Sequence, residues 1–149
     1  MRWPRAGKAI ENIVEGKRAI PSLGDLSPDQ QEIMCSEFLR TDTEFGLPKL
    51  AHLVLPVGRT MRGIDICGIS SSGSVVFAQV TYLGFDHCGT KLDTLRCYRD
   101  GQGNALVLFC DCEEPEYKDG IHIIPLRKVY DAFVATTTGK LWLERATNI

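Results

Sequence analysis

No stretch of about 18 consecutive apolar residues occurs in the chain, so no segment is built to span a bilayer as a helix. The opening residues, MRWPRAGKAIENIVEG, carry basic groups but no uninterrupted apolar core, and do not read as a secretory signal. Single-sign charge is also lacking. A net charge of −2 provides no general attraction for nucleic acid, so any DNA contact has to come from local basic groups. Candidates are Arg2, Arg5, Lys8, Arg59 and Arg62. There is no P-loop, no GxSxG and no HExxH, which removes the commonest phosphate-cradle, serine-hydrolase and zinc-protease signatures. Internal repeats and low-complexity stretches are absent too.

Cysteine is not scarce, but none of the six forms a CxxC pair. Cys35, Cys67, Cys88, Cys97, Cys110 and Cys112 sit in apolar or periodic segments. They read as free thiols filling space in a reducing, cytoplasmic setting. A zinc site from Cys110, Cys112 and His122 is the competing reading. Residues two apart on a strand share a face, but a fourth ligand at a recognisable spacing is missing.

The 149 residues suit a single domain able to bury its own core. We divide the chain into an N-terminal extension, 1–26, and one α/β domain, 27–149. Ala6 to Gly16 reads as a short helix and Pro21 to Gly24 as a loop. Ser27-Pro28-Asp29-Gln30 is a helix start with a cap, a proline at the first position and a capping-box glutamine. That helix is expected from Pro28 to Arg40, burying Ile33, Met34, Phe38 and Leu39.

Three strands should follow, at Leu50–Val57, Gly63–Ile69 and Ser74–Leu83. The short Ser70–Gly73 link makes the last two an antiparallel hairpin. A helix from Thr90 to Arg99 would turn Leu92, Leu95 and Tyr98 inward. The continuous apolar run Ala105–Cys110 marks a strand buried on both faces. A strand at Ile121–Ile124, a helix at Leu126–Val134 and an apolar segment at Lys140–Leu143 complete the chain. The expected class is α/β: a mixed central sheet flanked by helices, its core ordered α-β-β-β-α-β.

Asp65, between Ile64 and Ile66, is an acid in an apolar strand and needs a compensating partner. Across the hairpin stands Gln79, expected on the same sheet face. Oxygen donors of this kind suit Mg²⁺. Gly63-Ile64-Asp65, followed by Gln79 and preceded by Glu32 on the first helix, resembles the PD-(D/E)xK nuclease superfamily, and within it the Mrr-like restriction endonucleases. The likeness covers about residues 27 to 112. It implies a restriction-endonuclease-like fold and Mg²⁺-dependent hydrolysis of DNA in restriction or phage defence. Asp65, Gln79 and Glu32 would bind the metal, and a homodimer or partner domain would allow both strands to be cut.

The family's strand lysine is replaced by Thr81, which cannot stabilise the charge that builds on a phosphate. Either Lys91, on the following helix, supplies that cation, or the site is dead and the module only binds DNA or protein. Glu37 is an alternative acid on the first helix, and His87 an alternative acid or base in the loop before Lys91.

Overall fold

The computed structural model describes residues 20–41, 45–54, 63–99 and 103–145. Arg2, Arg5, Lys8, the Ala6–Gly16 segment, Leu55 to Val57, Arg59 and Arg62 lie outside them. The first helix, α1, runs Pro28–Arg40. Its start is set as expected: Ser27 Oγ accepts from Gln30 N at 3.2 Å, and Ser27 N donates to Gln30 Oε1 at 2.9 Å.

A six-stranded mixed sheet follows, in the spatial order β1-β2-β3-β4-β6-β5. Its strands are β1 (Leu50–Val54), β2 (Ile66–Ser70), β3 (Val75–Gly84), β4 (Ala105–Asp111), β5 (Glu116–Lys118) and β6 (Ile121–Pro125). Helix α2 (Gly89–Arg96) carries the chain from β3 to β4, and α3 (Leu126–Val134) and α4 (Thr137–Arg145) close it. The β1–β2–β3 meander is antiparallel, β3, β4 and β6 are parallel, and β5 pairs antiparallel with β6. Among the described residues no helix is long and apolar enough to cross a membrane.

β4 is the middle of the core, and its alternation divides the hydrophobic interior in two. Val107 and Phe109 join Ile66, Val76, Ala78 and Ile124 against α1, α3 and α4. Leu106, Leu108 and Cys110 join Cys67, Phe77 and Ile123 against Leu95 of α2. A run without polar alternation is what a strand covered on both faces requires. Phe109 is fully buried and meets Phe38 of α1 edge to face, ring centroids 6.3 Å apart. The segment before α1 is tied to this core. Leu23 and Leu26 are buried, Tyr130 Oη donates to the Pro21 carbonyl at 2.6 Å, and Tyr82 Oη donates to that of Leu26.

Several local expectations are corrected. Ile33 is exposed, because the buried stripe of α1 runs through Gln31, Met34, Cys35, Phe38 and Leu39. Ile33 instead lines an open apolar groove shared with Phe133 and Trp142. The second strand begins at Ile66, not Gly63. Helix α2 ends at Arg96, with Leu95 buried and Leu92 and Tyr98 packed at the edge of its cluster. The apolar segment at Lys140–Leu143 belongs to α4.

Candidate functional site

Asp65 stands one residue ahead of β2, where strand alternation breaks. In a regular strand Ile64 and Ile66 would share a face. Here Ile64 joins the cluster under α2 and Ile66 the cluster under α1. Asp65 bridges the change by gripping β3 on either side of Gln79. Its N–H donates to the Ala78 carbonyl at 3.0 Å, and its Oδ2 accepts from Val80 N at 2.8 Å. The carboxylate thereby satisfies a strand N–H that the shortened β2 leaves unpaired.

Gly63 explains the other end of the motif. It has φ +76°, a conformation open chiefly to glycine. A Cβ there would lie 2.6 Å from Thr94 Cγ2 and 3.3 Å from Gln79 Nε2. The Gln79 amide donates to the Gly63 carbonyl. Gln79 is buried, and its Oε1 has no protein partner. Alternation along β3 puts Gln79 on the same face as Phe77, the α2 side. No hydrogen bond joins it to Asp65 among the described residues. The register of β2 and β3 aligns the two positions, Ile66 opposite Ala78, but their side chains reach separate partners.

Asp65 meets Glu32 instead. The half-buried Glu32 carboxyl on α1 stands near enough to Asp65 to feel its charge, and its pKa is pushed up from 4.5 to about 7. Burial is the largest cause, followed by the Asp65 carboxylate and the charge of Asp29. Two carboxyls this close are not easily ionised together, and burial adds to the cost of charging Glu32. The buried Cys35 thiol, one turn along α1, is raised by burial and by these same two charges.

The remaining candidates fall elsewhere. Lys91 is half-buried on α2, where its charge is felt by Cys88. No hydrogen bond or ion pair joins it to Glu32 or Asp65 among the described residues. Thr81 Oγ1 accepts from Leu83 N at 3.1 Å. Glu37 is exposed and lies 3.7 Å from Arg40 Nε. His87 is exposed in the turn Phe85–His87.

The zinc alternative does not assemble. Alternation along β6 turns His122 away from the cluster that holds Cys110 and Cys112, and its ring packs tilted against that of Tyr117, centroids 4.5 Å apart. Cys110 has other company, the thiols of Cys88 and Cys112. Spacing alone puts Cys110 and Cys112 on one face, but the approach of Cys88 depends on how α2 seats against β4, which no local pattern reveals.

The donor chemistry of the pair fits Mg²⁺, since two carboxyls are hard oxygen ligands, while the unpartnered Gln79 Oε1 lies on the α2 side of the sheet. No group of three or more His, Cys, Asp or Glu side chains is placed to hold a metal among the described residues. A divalent ion would therefore rest on two acidic ligands and keep several waters. Comparisons with protein-family models, curated proteins and solved structures give no match for this chain.

Proposed function

We propose that this chain is a restriction-endonuclease-like domain of the PD-(D/E)xK type whose Glu32–Asp65 pair binds Mg²⁺ and acts on DNA phosphodiesters. The observation that carries this reading is the pair itself. A helix and the start of a strand press two carboxyls together, and no described cation offsets them. Such an arrangement costs stability unless something positive is meant to enter it. The order α1-β1-β2-β3-α2-β4 among the α-helices and strands of the described residues supports the same reading.

A bound Mg²⁺ would supply an activated water and offset charge on the phosphate. The chain's own groups prepare for it. The Val80 N–H orients the Asp65 carboxylate. Glu32 carries a proton near neutral pH that a metal would displace. Gln79, pinned through its Nε2 to Gly63, holds the turn that delivers Asp65 to β3. Cleavage of both strands would need a second copy or a partner domain.

A second reading has its own support. Thr81 is engaged with Leu83 N, and Lys91 lies beside Cys88 under the opposite face of the sheet from α1. Without a cation at the pair, the transition-state charge is not stabilised. The module would then bind metal and DNA, or a protein, within a defence or repair system without cutting. Plasmid cleavage in Mg²⁺ or Mn²⁺ separates the two readings. Cleavage abolished by both Asp65→Asn and Lys91→Ala establishes the nuclease with Lys91 as its cation. Metal binding without cleavage leaves the platform.

A further inference from the structure

On the far side of the sheet from Glu32, three thiols make a chain from surface to core. Cys88 precedes α2 and Cys110 lies in β4, and both are fully buried. Cys112 is half-buried just beyond the end of β4. Cys110 is the hub, buried between Cys88 and Cys112, whose Sγ atoms donate to the Gly84 carbonyl at 3.3 Å and the Glu114 carbonyl at 3.8 Å. All three belong to the same packed cluster as Leu95, Leu108 and Ile123. Cys112 also opens onto a surface pocket of about 250 Å³, walled by Phe85, Glu113, Glu114 and Glu116.

That pocket is acidic. Asp111 and Glu116 both act on Cys112, and Glu113 and Glu114 complete the rim. Two lysines answer them in part: Lys128 pairs with Glu114 at 3.1 Å, and Lys118 stands over the Phe85 ring at 5.9 Å. Negative charge still predominates. It repels an anionic reagent and favours a neutral or cationic one.

We propose that Cys112, Cys110 and Cys88 form a thiol relay that takes up a small neutral or cationic disulfide at the surface and passes the bond inward. The Cys112 thiolate attacks one sulfur of the reagent RSSR, forming a mixed disulfide and releasing one RS⁻. The Cys110 thiolate then attacks the Cys112 sulfur, expelling the second RS⁻ and leaving a Cys110–Cys112 bond. Finally Cys88 attacks Cys110 and frees Cys112, so the bond rests between two buried sulfurs. Overall the protein loses two electrons and two protons, and RSSR becomes two RSH.

The intermediate is the pairing under geometric constraint. Residues two apart on an extended strand sit near the upper limit of a disulfide's Cα separation. Cys88 and Cys110 come from different elements and escape that constraint. Burial raises all three thiols, so the relay is slow at neutral pH. Lys91 eases the last step by favouring the Cys88 thiolate. Closure would tie the start of α2 to β4.

The test uses the full chain and cystamine, a cationic disulfide, at mildly alkaline pH. After acid quenching and alkylation, peptide mapping by mass spectrometry reads the pairings. Exposed Cys97 is the internal control for reagent activity. A Cys88–Cys110 cross-link is expected, with Cys35 and Cys67 alkylated. Cys112→Ser should slow that link about tenfold, because the buried pair loses its surface entry. Cys110→Ser should leave the reagent attached at Cys112. Oxidised glutathione, an anion, should react more slowly than cystamine. The relay is overturned if Cys97 reacts fully while the three thiols form no bond, or if Cys112→Ser closes Cys88–Cys110 at the wild-type rate. Equal rates for the two reagents would overturn the charge preference.

Discussion

Glu32→Gln should make the metal-free protein more stable above neutral pH, and the sign follows from the raised pKa. Below pH 4.5 Glu32 is neutral in the folded and unfolded chains alike, and its titration contributes nothing. Between 4.5 and about 7 the unfolded chain ionises Glu32 while the folded chain holds it protonated against Asp65. Stability therefore falls as pH rises through that window. Above about 7 both states are ionised and the full penalty remains. A shift from 4.5 to about 7 corresponds to about 3 kcal/mol. Solvent screening at a half-buried carboxyl brings the expected penalty to about 1–2 kcal/mol. Glutamine keeps a hydrogen-bond donor for Asp65 and cannot ionise. Urea unfolding in the presence of a chelator, at pH 5 and at pH 8, gives both variants' stabilities by linear extrapolation. Similar stabilities are expected at pH 5, and a gain of about 1–2 kcal/mol for the glutamine variant at pH 8. A variant that is no more stable than wild type at pH 8, or a difference that does not change with pH, refutes the reasoning.

Two further variants probe the frame that positions the pair. Phe109→Ala removes a fully buried ring at the centre of β4 and should cost about 3–5 kcal/mol in the same urea assay. A loss below about 1 kcal/mol would mean β4 is not the middle of the core. Gly63→Ala puts a Cβ at a positive φ and 2.6 Å from Thr94 Cγ2, so a loss of about 2 kcal/mol is expected. An unchanged urea midpoint would show that the Gly63 turn is not as described.

How much of this was legible beforehand depends on how local its cause is. Helix α1 was readable to its ends, because Ser27, Pro28 and Gln30 act within one turn. Its buried face was misread at Ile33, since whether a neighbour covers an apolar residue is decided by α3 and α4, not by α1. Continuous apolarity identified β4 because both faces of that strand are covered. β5 carried no signal: Glu116, Tyr117 and Lys118 are all exposed, so no alternation marks them. At the site, the spacing of Gly63, Asp65 and Gln79 gave their neighbourhood. The break in alternation at Asp65 was hidden, because it follows from the positive φ of Gly63 and the double grip on β3. Lys91 was reached by analogy along the chain, and the face of the sheet on which α2 packs put it beside Cys88.

The central claim is that Glu32 and Asp65 together form a divalent-cation site. Its most direct test is a Mn²⁺ titration of the wild-type chain and of Asp65→Asn, followed by calorimetry and by loss of the free Mn²⁺ paramagnetic signal. The account predicts that the wild type binds one equivalent with release of protons around pH 7, as Glu32 gives up its hydrogen, and that Asp65→Asn loses this binding. Equal binding by both proteins, or no binding by the wild type, would contradict it.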